Sequence, residues 1–428
     1  MVREKEFAFI DQSYKPSRND LICLFKVTPN GMSLKEAINN VALESSIGTW
    51  TPVSSNKKYV NKLGAKAFAI SEKRGYGWVK IAYPQDLFEF GSVPNILSSI
   101  AGNVFGMKAI KGLRLEDIKF PQKLLKSFPG PRYGIEGYRK MMKIKDRPFV
   151  GTIVKPKLGL KTKDHARVAY DSWVGGCDLV KDDENLSSQK FNLFDKRAAK
   201  TLEMCDKAQE ETGDKKGYLI NVTAEALEML RRADLAKELG GKFVMHDIIT
   251  AGFSSLQTLR ENTTLGIHAH RAMHGAFTEN PNHGLSMMCV ADFSRVAGVD
   301  SLHIGTGIGK MKGGKEEVKE IDEEMEQRIV SKTKTRLDQN WSSIKPVFSV
   351  CSGGIYPGHV PYLMKNFGKD IIIQAGGGIH GHPKGTKTGA TALRQAVDAT
   401  MKGETLHEYG KTHEELMEAM DSWGTVRF

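Results

Sequence analysis

From residue 149 onward the chain repeats one pattern, in which a short β-branched or apolar run precedes a stretch with apolar residues at helical spacing. The repeats lie about 30 residues apart, which is typical of consecutive βα units. Eight such runs occur, at residues 149–154, 177–180, 218–222, 243–246, 266–270, 301–305, 347–350 and 371–375. Because eight parallel strands can close on themselves, the pattern predicts an α/β fold with a C-terminal (β/α)8 TIM barrel.

The N-terminal part has a different order of strand, helix, two strands, helix and strand, which predicts a small α+β (ferredoxin-like) domain. The strands are predicted at residues 21–27, 65–71, 77–83 and 113–120, and the helices at 33–45 and 93–104. Pro121, Pro129 and Pro131 then indicate a boundary. We therefore expect an N-terminal domain over residues 1–130 and a barrel domain with C-terminal helices over residues 131–428.

The charge balance restricts the class of partner. The formal net charge is +12, and the lysines and arginines are interspersed with acids rather than gathered in a tract. This distribution favours a small polyanionic substrate over nucleic acid or a membrane surface. We find no run of about 18 apolar residues that would predict a membrane span. Five scattered cysteines without CxxC spacing indicate reduced thiols, and the opening segment is charged, so we expect a cytoplasmic protein.

Polar residues and glycines follow the predicted barrel strands at the same end of each strand. They are Lys155 and Lys157 after the first strand, Lys181, Asp183 and Glu184 after the second, Asn221 on the third, His246 and Asp247 at the fourth, His270 and Arg271 at the fifth, His303 on the sixth, Ser352, Gly353 and Gly354 after the seventh, and Gly376 and Gly377 after the eighth. Barrel enzymes place their chemistry at the carboxyl ends of the strands. The sequence therefore predicts one candidate site at the mouth of the barrel.

The second strand ends in the charged run Lys181-Asp182-Asp183-Glu184. Side chains alternate along an extended chain, so Lys181 and Asp183 point one way and Asp182 points the other way. The carboxylates of Asp183 and Glu184 suit Mg²⁺. A desolvated lysine loses its proton more readily, and the neutral amine can add CO₂ to become a carbamate, a further oxygen ligand. A salt-bridge cluster that caps the strand is the alternative.

Further residues predict phosphate sites and a lid. The glycine-rich turns after strands seven and eight let backbone N–H groups approach a phosphate closely. Arg271 and His303 are candidates for a second phosphate, and an ordinary ion pair is the alternative for Arg271. The glycines between Gly305 and Lys310 suit a hinged lid that carries Lys310 to the reacting centre. A flexible surface loop is the alternative for this segment.

Two other functional classes fit parts of the sequence. His268-Ala269-His270 resembles the zinc-binding HxH pair of amide-hydrolysing barrels. Those barrels carry the pair on the first strand and the lysine on the fourth, whereas here the pair is on the fifth and the lysine on the second. We expect instead that His270 lies in the substrate pocket and that His268 and His274 are partly buried structural residues. A nucleic-acid-binding or structural role is motivated only by the net charge.

Five motifs occur in an order that resembles a known family. They are Gly-Thr-Ile-Val-Lys-Pro-Lys-Leu-Gly at 151–159, the run at 175–185, His-Arg-Ala-Met-His at 270–274, Gly-Thr-Gly-Ile-Gly-Lys at 305–310 and Ser-Gly-Gly at 352–354. From residue 20 to residue 400 the chain is similar to the large subunit of ribulose-1,5-bisphosphate carboxylase/oxygenase (RuBisCO). Its short length, its lid and its lysine-rich composition resemble the archaeal form III group, for which the family implies disposal of nucleotide ribose (AMP salvage).

The resemblance implies a role for each matching residue. Lys181 is expected to be carbamylated, to bind one Mg²⁺ per active site with Asp183 and Glu184, and to take a proton from C3 of ribulose bisphosphate. Lys310 is expected beside the new carboxylate, and Lys155 is expected to protonate the final carbanion to release two molecules of 3-phosphoglycerate. His270 is expected to assist proton transfers. One phosphate is expected at Thr49, Trp50, Gly354, Gly376 and Gly377, and the other at Arg271, His303 and Ser352. The further substrate-binding residues are expected to be Glu44, Asn103, Lys157, Gly353 and Gln374.

The resemblance also implies partners. Residues 44–50 and 102–106 match segments that, in the family, reach into the barrel mouth of a neighbouring subunit. We therefore expect a homodimer, or an assembly of dimers, without a small subunit. O₂ can attack the same enediolate as CO₂, so an oxygenase side activity is expected. The alternative is a RuBisCO-like enolase or isomerase that acts on a related sugar-phosphate analogue without fixing CO₂, and Lys155 and Lys310 argue against it.

Overall fold

A computed structural model describes residues 8–49, 51, 53–309 and 313–425 of the chain. The chain divides into two compact units. The first unit contains Met1–Gly130, Met273–Ala297 and Gln327–Ile344, and the second contains Pro131–Ala272, Gly298–Glu326 and Lys345–Phe428. Two segments that come after barrel strands in the sequence therefore belong to the same unit as the N-terminal residues.

The first unit is built on a five-stranded mixed sheet. In spatial order its strands are Gly284–Leu285, Ile110–Lys119, Asp20–Pro29, Tyr76–Pro84 and Lys66–Lys73. Four of them pair in antiparallel fashion, and Gly284–Leu285 adds a short parallel edge. Alternate residues of the central strand, Leu21, Cys23, Phe25 and Val27, are fully buried, because successive side chains of a strand face opposite sides of the sheet.

Short helices complete the first unit. In the described residues they are Leu34–Glu44, Val93–Ile100, Gln122–Leu125, Gly275–Thr278 and Met287–Ala297, with single-turn 3₁₀ helices at Val60–Leu63, Gln85–Leu87 and Asn103–Gly106 and a two-stranded ribbon of Ile329–Val330 and Gln339–Asn340. The helix Leu34–Glu44 begins at a capping box, in which Ser33 and Glu36 each accept a hydrogen bond from the other's backbone N–H. The predicted N-terminal α+β fold is confirmed.

The second unit contains a closed barrel of eight parallel strands. In chain order they are Phe149–Ile153, Leu179–Lys181, Gly217–Asn221, Phe243–Asp247, Gly266–His270, Ser301–His303, Phe348–Ser352 and Ile371–Gln374. Each strand pairs with the next, and the eighth pairs with the first. Every predicted strand overlaps an observed one, so the predicted TIM barrel is confirmed.

Helices follow most of the barrel strands and extend beyond the last one. They are Thr162–Val174, Phe194–Thr212, Ala226–Glu238, Phe253–Asn262, Lys315–Glu326, Val360–Phe367, Gly377–His380, Thr386–Lys402, Leu406–Gly410 and Glu414–Trp423, with a 3₁₀ turn at Pro357–His359. One more helix, Gly134–Met142, precedes the first barrel strand. Among the described residues, no helix combines the length and the apolar character needed to cross a lipid bilayer.

The amino-terminal ends of the strands are closed by a cluster of buried apolar residues that we call the floor cluster. Its members are Ile135, Tyr138, Met142, Ile144, Phe149, Leu179, Leu219, Phe243, Met245, Phe348, Val350 and Ile372. Tyr138, from the helix before the first strand, stacks on Phe243 at 4.5 Å between ring centroids. The same ring meets Phe149 and Phe348 edge to face at 5.4 and 5.3 Å. Such aromatic pairs contribute about 0.5–1.5 kcal/mol each beyond the burial of their area.

Candidate active site

Charged side chains meet at the barrel mouth because inward positions recur at every second residue of a strand. On the second strand, Leu179 belongs to the floor cluster and Lys181 is the next inward position toward the carboxyl end. On the seventh strand, Val350 belongs to the same cluster and Ser352 follows it. The packing of the floor therefore determines which residues face the mouth.

Two lysine–carboxylate pairs lie at the carboxyl ends of the first two strands. Lys181 Nζ lies 3.1 Å from Glu184 Oε2, and the lysine side chain is 0 % exposed. Lys155 Nζ lies 2.7 Å from Asp183 Oδ2. Burial raises the pKa of Glu184, but the positive charges of Lys181 and His270 outweigh it and lower this pKa to about 2. Glu184 is therefore an anion at neutral pH, although its side chain is mostly buried.

The turn that carries these carboxylates is held by Asn221 on the third strand. Its Nδ2 donates hydrogen bonds of 3.4, 3.2 and 3.0 Å to the backbone carbonyls of Asp183, Glu184 and Leu186. The carboxylate of Asp183 also accepts the backbone N–H of Asn185 at 3.1 Å. The sequence predicted that Asn221 lies at the barrel mouth. Its hydrogen-bond partners could be identified only from the structure.

Asp182 points away from the barrel interior, as the alternation predicts. Its carboxylate accepts hydrogen bonds from the Tyr218 hydroxyl at 2.5 Å and from Arg197 Nε at 3.3 Å, and His165 Nε2 lies 3.1 Å away. It also accepts the backbone N–H of Asn221 at 3.0 Å. Burial raises the pKa of Asp182, but Arg197 and His165 outweigh it, so the pKa falls well below its usual range. This network fixes the backbone between Lys181 and Asp183.

His270 lies between two carboxylates. Its Nε2 is 3.6 Å from Glu184 Oε2, and its Nδ1 is 3.2 Å from Asp247 Oδ1. Asp247 ends the fourth strand and is a candidate site residue that the sequence suggested only through its strand-end position. The backbone N–H of Ala272 donates to His270 Nδ1 at 3.2 Å, and Asp247 Oδ1 makes no hydrogen bond among the described residues. His270 therefore lies beside one residue of the predicted metal-ligand set, Glu184, and beside a second carboxylate.

Arg271 is a buried cation that forms no ion pair among the described residues. It is 8 % exposed, and within the part of the chain that the structure describes it makes no hydrogen bond or ion pair. Burial lowers its pKa to about 10, against the opposing charge of Glu317. A Cβ atom on Gly305 would lie 3.0 Å from Arg271 Nη2, and the φ of +102° at Gly305 favours glycine at this position. A buried guanidinium in this state is suited to bind an anion.

The seventh and eighth strands supply the remaining predicted groups. Gly353 and Gly354 have φ of +113° and +79°, and a Cβ atom on Gly376 would lie 3.1 Å from Lys155 Cε. Gln374 is fully buried, and among the described residues neither its Oε1 nor its Nε2 has a hydrogen-bond partner. The structure thus brings Gly376 beside Lys155 and leaves an unpaired amide in the barrel interior.

The other predicted residues are placed as follows. Lys157 is exposed, with Nζ 3.4 Å from Asn185 Oδ1, and a Cβ atom on Gly377 would meet nothing within 4 Å. In the first unit, Glu44 ends a helix and is half-buried, Thr49 is exposed and donates to the carbonyl of Thr51, and Asn103 is exposed in a 3₁₀ turn. Trp50 and Lys310 lie outside the described residues.

The donor chemistry fits Mg²⁺ only if Lys181 is modified. Within the described ranges no group of three or more histidine, cysteine, aspartate or glutamate side chains is arranged to hold a metal ion. The predicted set contains two carboxylates, and each of them faces an ammonium group. Conversion of Lys181 to a carbamate would replace the cation beside Glu184 with an anionic oxygen donor, which gives three hard oxygen ligands in one turn.

Two domain models of one protein family match this chain. The family model "Ribulose bisphosphate carboxylase large chain, catalytic domain" matches residues 134–423, and the corresponding N-terminal domain matches residues 8–124. The ribulose bisphosphate carboxylase of Methanocaldococcus jannaschii is 49% identical over 424 residues, which are 97% of this chain and 99% of the relative. That of Methanosarcina mazei is 48% identical over 423 residues, 97% of this chain and 98% of the relative.

Solved structures are similar over the same length. The dimeric archaeal Rubisco from Hyperthermus butylicus is 48% identical with a TM-score of 0.94, covering 98% of this chain and 100% of its own. The octameric enzyme from Pyrococcus horikoshii OT3, in complex with sulfate ion, is 45% identical with a TM-score of 0.92, covering 99% of this chain and 98% of its own.

Proposed function

The chain belongs to the ribulose bisphosphate carboxylase large-chain family, and we propose that it converts ribulose 1,5-bisphosphate, CO₂ and water into two molecules of 3-phosphoglycerate. Such carboxylases are carbon–carbon lyases. The observation that carries the proposal is the pair of contacts at the mouth, Lys181 with Glu184 and Lys155 with Asp183. These contacts support the proposal, because an amine that can be carbamylated, two carboxylates that would be oxygen ligands and a lysine that would donate a proton lie close together.

The proposed metal is one Mg²⁺ per active site. Lys181 as a carbamate, Asp183 and Glu184 would hold it, since all three would present anionic oxygens. When bound, Mg²⁺ would stabilise the negative charge that develops on the substrate oxygens.

Lysines and a histidine would carry the proton transfers. The carbamate of Lys181 would accept the proton from C3 of ribulose bisphosphate. Lys310 would lie beside the carboxylate formed when CO₂ adds at C2. Lys155 would return a proton to the carbanion left by cleavage of the C2–C3 bond, with Lys157 tuning its basicity and His270 assisting the transfers.

Two phosphate subsites would hold the substrate ends. Arg271, His303 and Ser352 would bind one phosphate, and the buried guanidinium of Arg271, which makes no ion pair among the described residues, supports this assignment. The other subsite and the sugar would be contacted by Thr49, Trp50, Gly353, Gly354, Gly376, Gly377, Gln374, Glu44 and Asn103. The unpaired amide of Gln374 supports a polar partner there.

We further propose a homodimer, or an assembly of such dimers, in which the N-terminal domain over residues 1–130 completes the active site of the neighbouring barrel over residues 131–428. Relatives described as dimeric and as octameric support an assembly of several subunits, and we propose no small subunit. O₂ would compete with CO₂ and give an oxygenase side reaction.

The proposed setting is form III disposal of nucleotide ribose from AMP in the cytoplasm. Five free, buried cysteines are consistent with a reducing compartment.

The direct test is incorporation of labelled CO₂ into acid-stable product under anaerobic conditions, with ribulose bisphosphate and Mg²⁺ present. We expect incorporation that requires both the metal and preincubation with CO₂, because the carbamate forms before catalysis. The absence of incorporation by folded protein would overturn the proposal. Exchange of the C3 proton without incorporation would instead indicate a RuBisCO-like enolase.

The role of Lys310 has its own test. The Lys310→Ala variant should still exchange the C3 proton with solvent but should incorporate no CO₂, because the enediolate would form without a cation to stabilise the new carboxylate. If proton exchange disappears together with incorporation, Lys310 acts earlier in the reaction than proposed here. The exposed Lys163 provides a control for the loss of one lysine charge elsewhere on the barrel.

A further inference from the structure

Four buried side chains form a continuous chain of hydrogen bonds across neighbouring barrel strands. Ser301 Oγ lies 2.8 Å from His268 Nδ1, and His268 Nε2 lies 2.9 Å from His303 Nε2. His303 Nδ1 lies 2.7 Å from Ser352 Oγ. Ser301 and His268 are 0 % exposed and His303 is 4 % exposed, so water has little access to the interior of the chain. The chain runs from the barrel interior to a proposed phosphate ligand, Ser352.

Burial disfavours the cationic form of both imidazoles. Burial lowers the pKa of His268, and the nearby charges of Lys181 and His270 lower it further. Burial likewise lowers the pKa of His303, with His270, His268, Lys181 and Arg271 adding to the effect. A neutral imidazole carries a single N–H, and its second nitrogen is an acceptor.

The contact between the two Nε2 atoms couples the two tautomers. Two nitrogens 2.9 Å apart form a hydrogen bond only if one donates and the other accepts. If His268 donates from Nε2, its Nδ1 accepts from Ser301, and His303 carries its proton on Nδ1 and donates to Ser352. If His303 donates from Nε2, every bond reverses, and Ser352 must donate its hydroxyl proton to His303.

The two arrangements differ in what Ser352 can offer to a ligand. In the first, the hydroxyl of Ser352 accepts from His303, so its own proton is free to reach a phosphate oxygen. In the second, that proton is held by His303 Nδ1, and only lone pairs of the hydroxyl would face the phosphate. An anionic oxygen accepts hydrogen bonds and is repelled by lone pairs, so phosphate is compatible with the first arrangement.

We propose that His268 is a positioning residue that sets the direction of this chain, so that Ser352 donates a hydrogen bond to a substrate phosphate. The inference rests on the proposed function in one respect, the assignment of Ser352 to a phosphate subsite. It goes beyond that function because His268 does not reach the phosphate itself and acts through His303. No covalent step is involved, and only the positions of two protons differ between the arrangements.

The test measures inorganic phosphate binding to the full-length protein, without ribulose bisphosphate or CO₂, by isothermal titration calorimetry. The Ser352→Ala variant should bind phosphate about tenfold more weakly, as expected for loss of one hydrogen bond to a charged group. The His268→Asn variant should lose affinity to a similar extent, because the shorter amide cannot reach His303 Nε2. The His268→Gln variant should restore most of the affinity, since its amide N–H can occupy the position of the imidazole Nε2–H.

A double variant separates the hydrogen-bond chain from a general loss of structure. In the Ser352→Ala background, His268→Asn should cause no further loss of phosphate affinity, because both substitutions remove the same hydrogen bond. The matched control is His246→Asn. His246 is a fully buried histidine of the fourth strand whose ring nitrogens have no hydrogen-bond partner in the described structure, and its replacement should change phosphate affinity less than twofold.

The tautomers can be read directly. In protein labelled with ¹⁵N-histidine and saturated with phosphate, His303 should carry its proton on Nδ1 and His268 on Nε2, as judged from the ring nitrogen shifts. The opposite tautomers, or additive losses in the double variant, would overturn the proposal. Failure of CO₂ incorporation by the native chain would overturn the proposed function and leave these phosphate measurements interpretable.

Discussion

The two ends of the barrel use the same eight strands in opposite ways. At the floor, Phe149, Phe243 and Phe348 surround Tyr138, and every one of these rings is fully buried against others. At the mouth, inward-facing residues of the same barrel are charged, and Lys181 is buried beside the carboxylate of Glu184. Packing and chemistry are therefore separated by one or two pleats of a strand. Substitutions at the floor should lower stability, and those at the mouth should lower activity.

The largest effect is expected at the mouth. Lys181→Ala or Asp183→Ala should reduce carboxylation at least about 1000-fold, which corresponds to about 4 kcal/mol in the activation barrier. The physical reason is loss of one of three proposed oxygen ligands. Steady-state incorporation of labelled CO₂ measures the effect, and urea unfolding checks that the variant is still folded under the assay conditions. A variant of either kind that retains carboxylation would break the metal-carbamate assignment.

Substitutions in the floor cluster are expected to lower stability and to leave activity nearly unchanged. Phe243→Ala should lower the free energy of unfolding by about 3–5 kcal/mol, because it removes a buried ring that stacks on Tyr138 and leaves a cavity. Carboxylation per folded molecule should stay within about twofold of the native chain. Urea unfolding and activity at saturating substrate check the two parts. A large loss of activity in the folded variant would show that the floor and the mouth are coupled.

Asp182 tests whether a residue that supports the mouth from outside affects both stability and activity. It lies between Lys181 and Asp183 in sequence but faces the helices. Asp182→Asn should lower the free energy of unfolding by about 3 kcal/mol, since it leaves the buried Arg197 without its carboxylate. It should also weaken Mg²⁺ binding, measured by titration of the CO₂-treated protein. Unchanged stability would mean that the network around Asp182 contributes nothing net.

The stability of the native chain should also depend on pH through Asp322, on the helix Lys315–Glu326. Burial raises the pKa of Asp322 to about 8, and the nearby hydroxyl of Ser349 partly opposes this rise. The folded state then holds a proton that the unfolded chain releases above pH about 4, so the free energy of unfolding falls between pH about 4 and 8, by at most about 1.4 kcal/mol per pH unit. Asp322→Asn should make the slope measured by urea unfolding at pH 5 to 8 shallower, while other buried carboxyl groups with raised pKa, such as Asp117, keep their contribution.

The control for this pH experiment lies on the same helix. Glu316 is exposed on Lys315–Glu326, and Glu316→Gln should leave the slope as it is in the native chain. If Asp322→Asn and Glu316→Gln give the same slope, Asp322 does not hold the proton.

The barrel fold and the location of its candidate site could be predicted from the sequence alone. Eight apolar runs with helical stretches between them have few other ways to bury their surface, so strand number and closure follow from local periodicity. The same period of two predicted that Asp182 faces away from Lys181 and Asp183. Strand-end positions were enough to collect Lys155, Lys181, Asp183, Glu184 and His270 at one mouth, because parallel strands present their carboxyl ends on one side.

The tertiary structure decided the contacts between residues that are distant in sequence. No local pattern assigns Met273–Ala297 and Gln327–Ile344 to the first unit, since their apolar residues have partners only after the chain has folded. The same holds for Tyr138 in the floor, for Asn221 under the carboxylate turn and for His268 against His303. Periodicity sets which way a side chain faces, whereas burial, charge balance and hydrogen-bond direction depend on the neighbours that the closed barrel supplies.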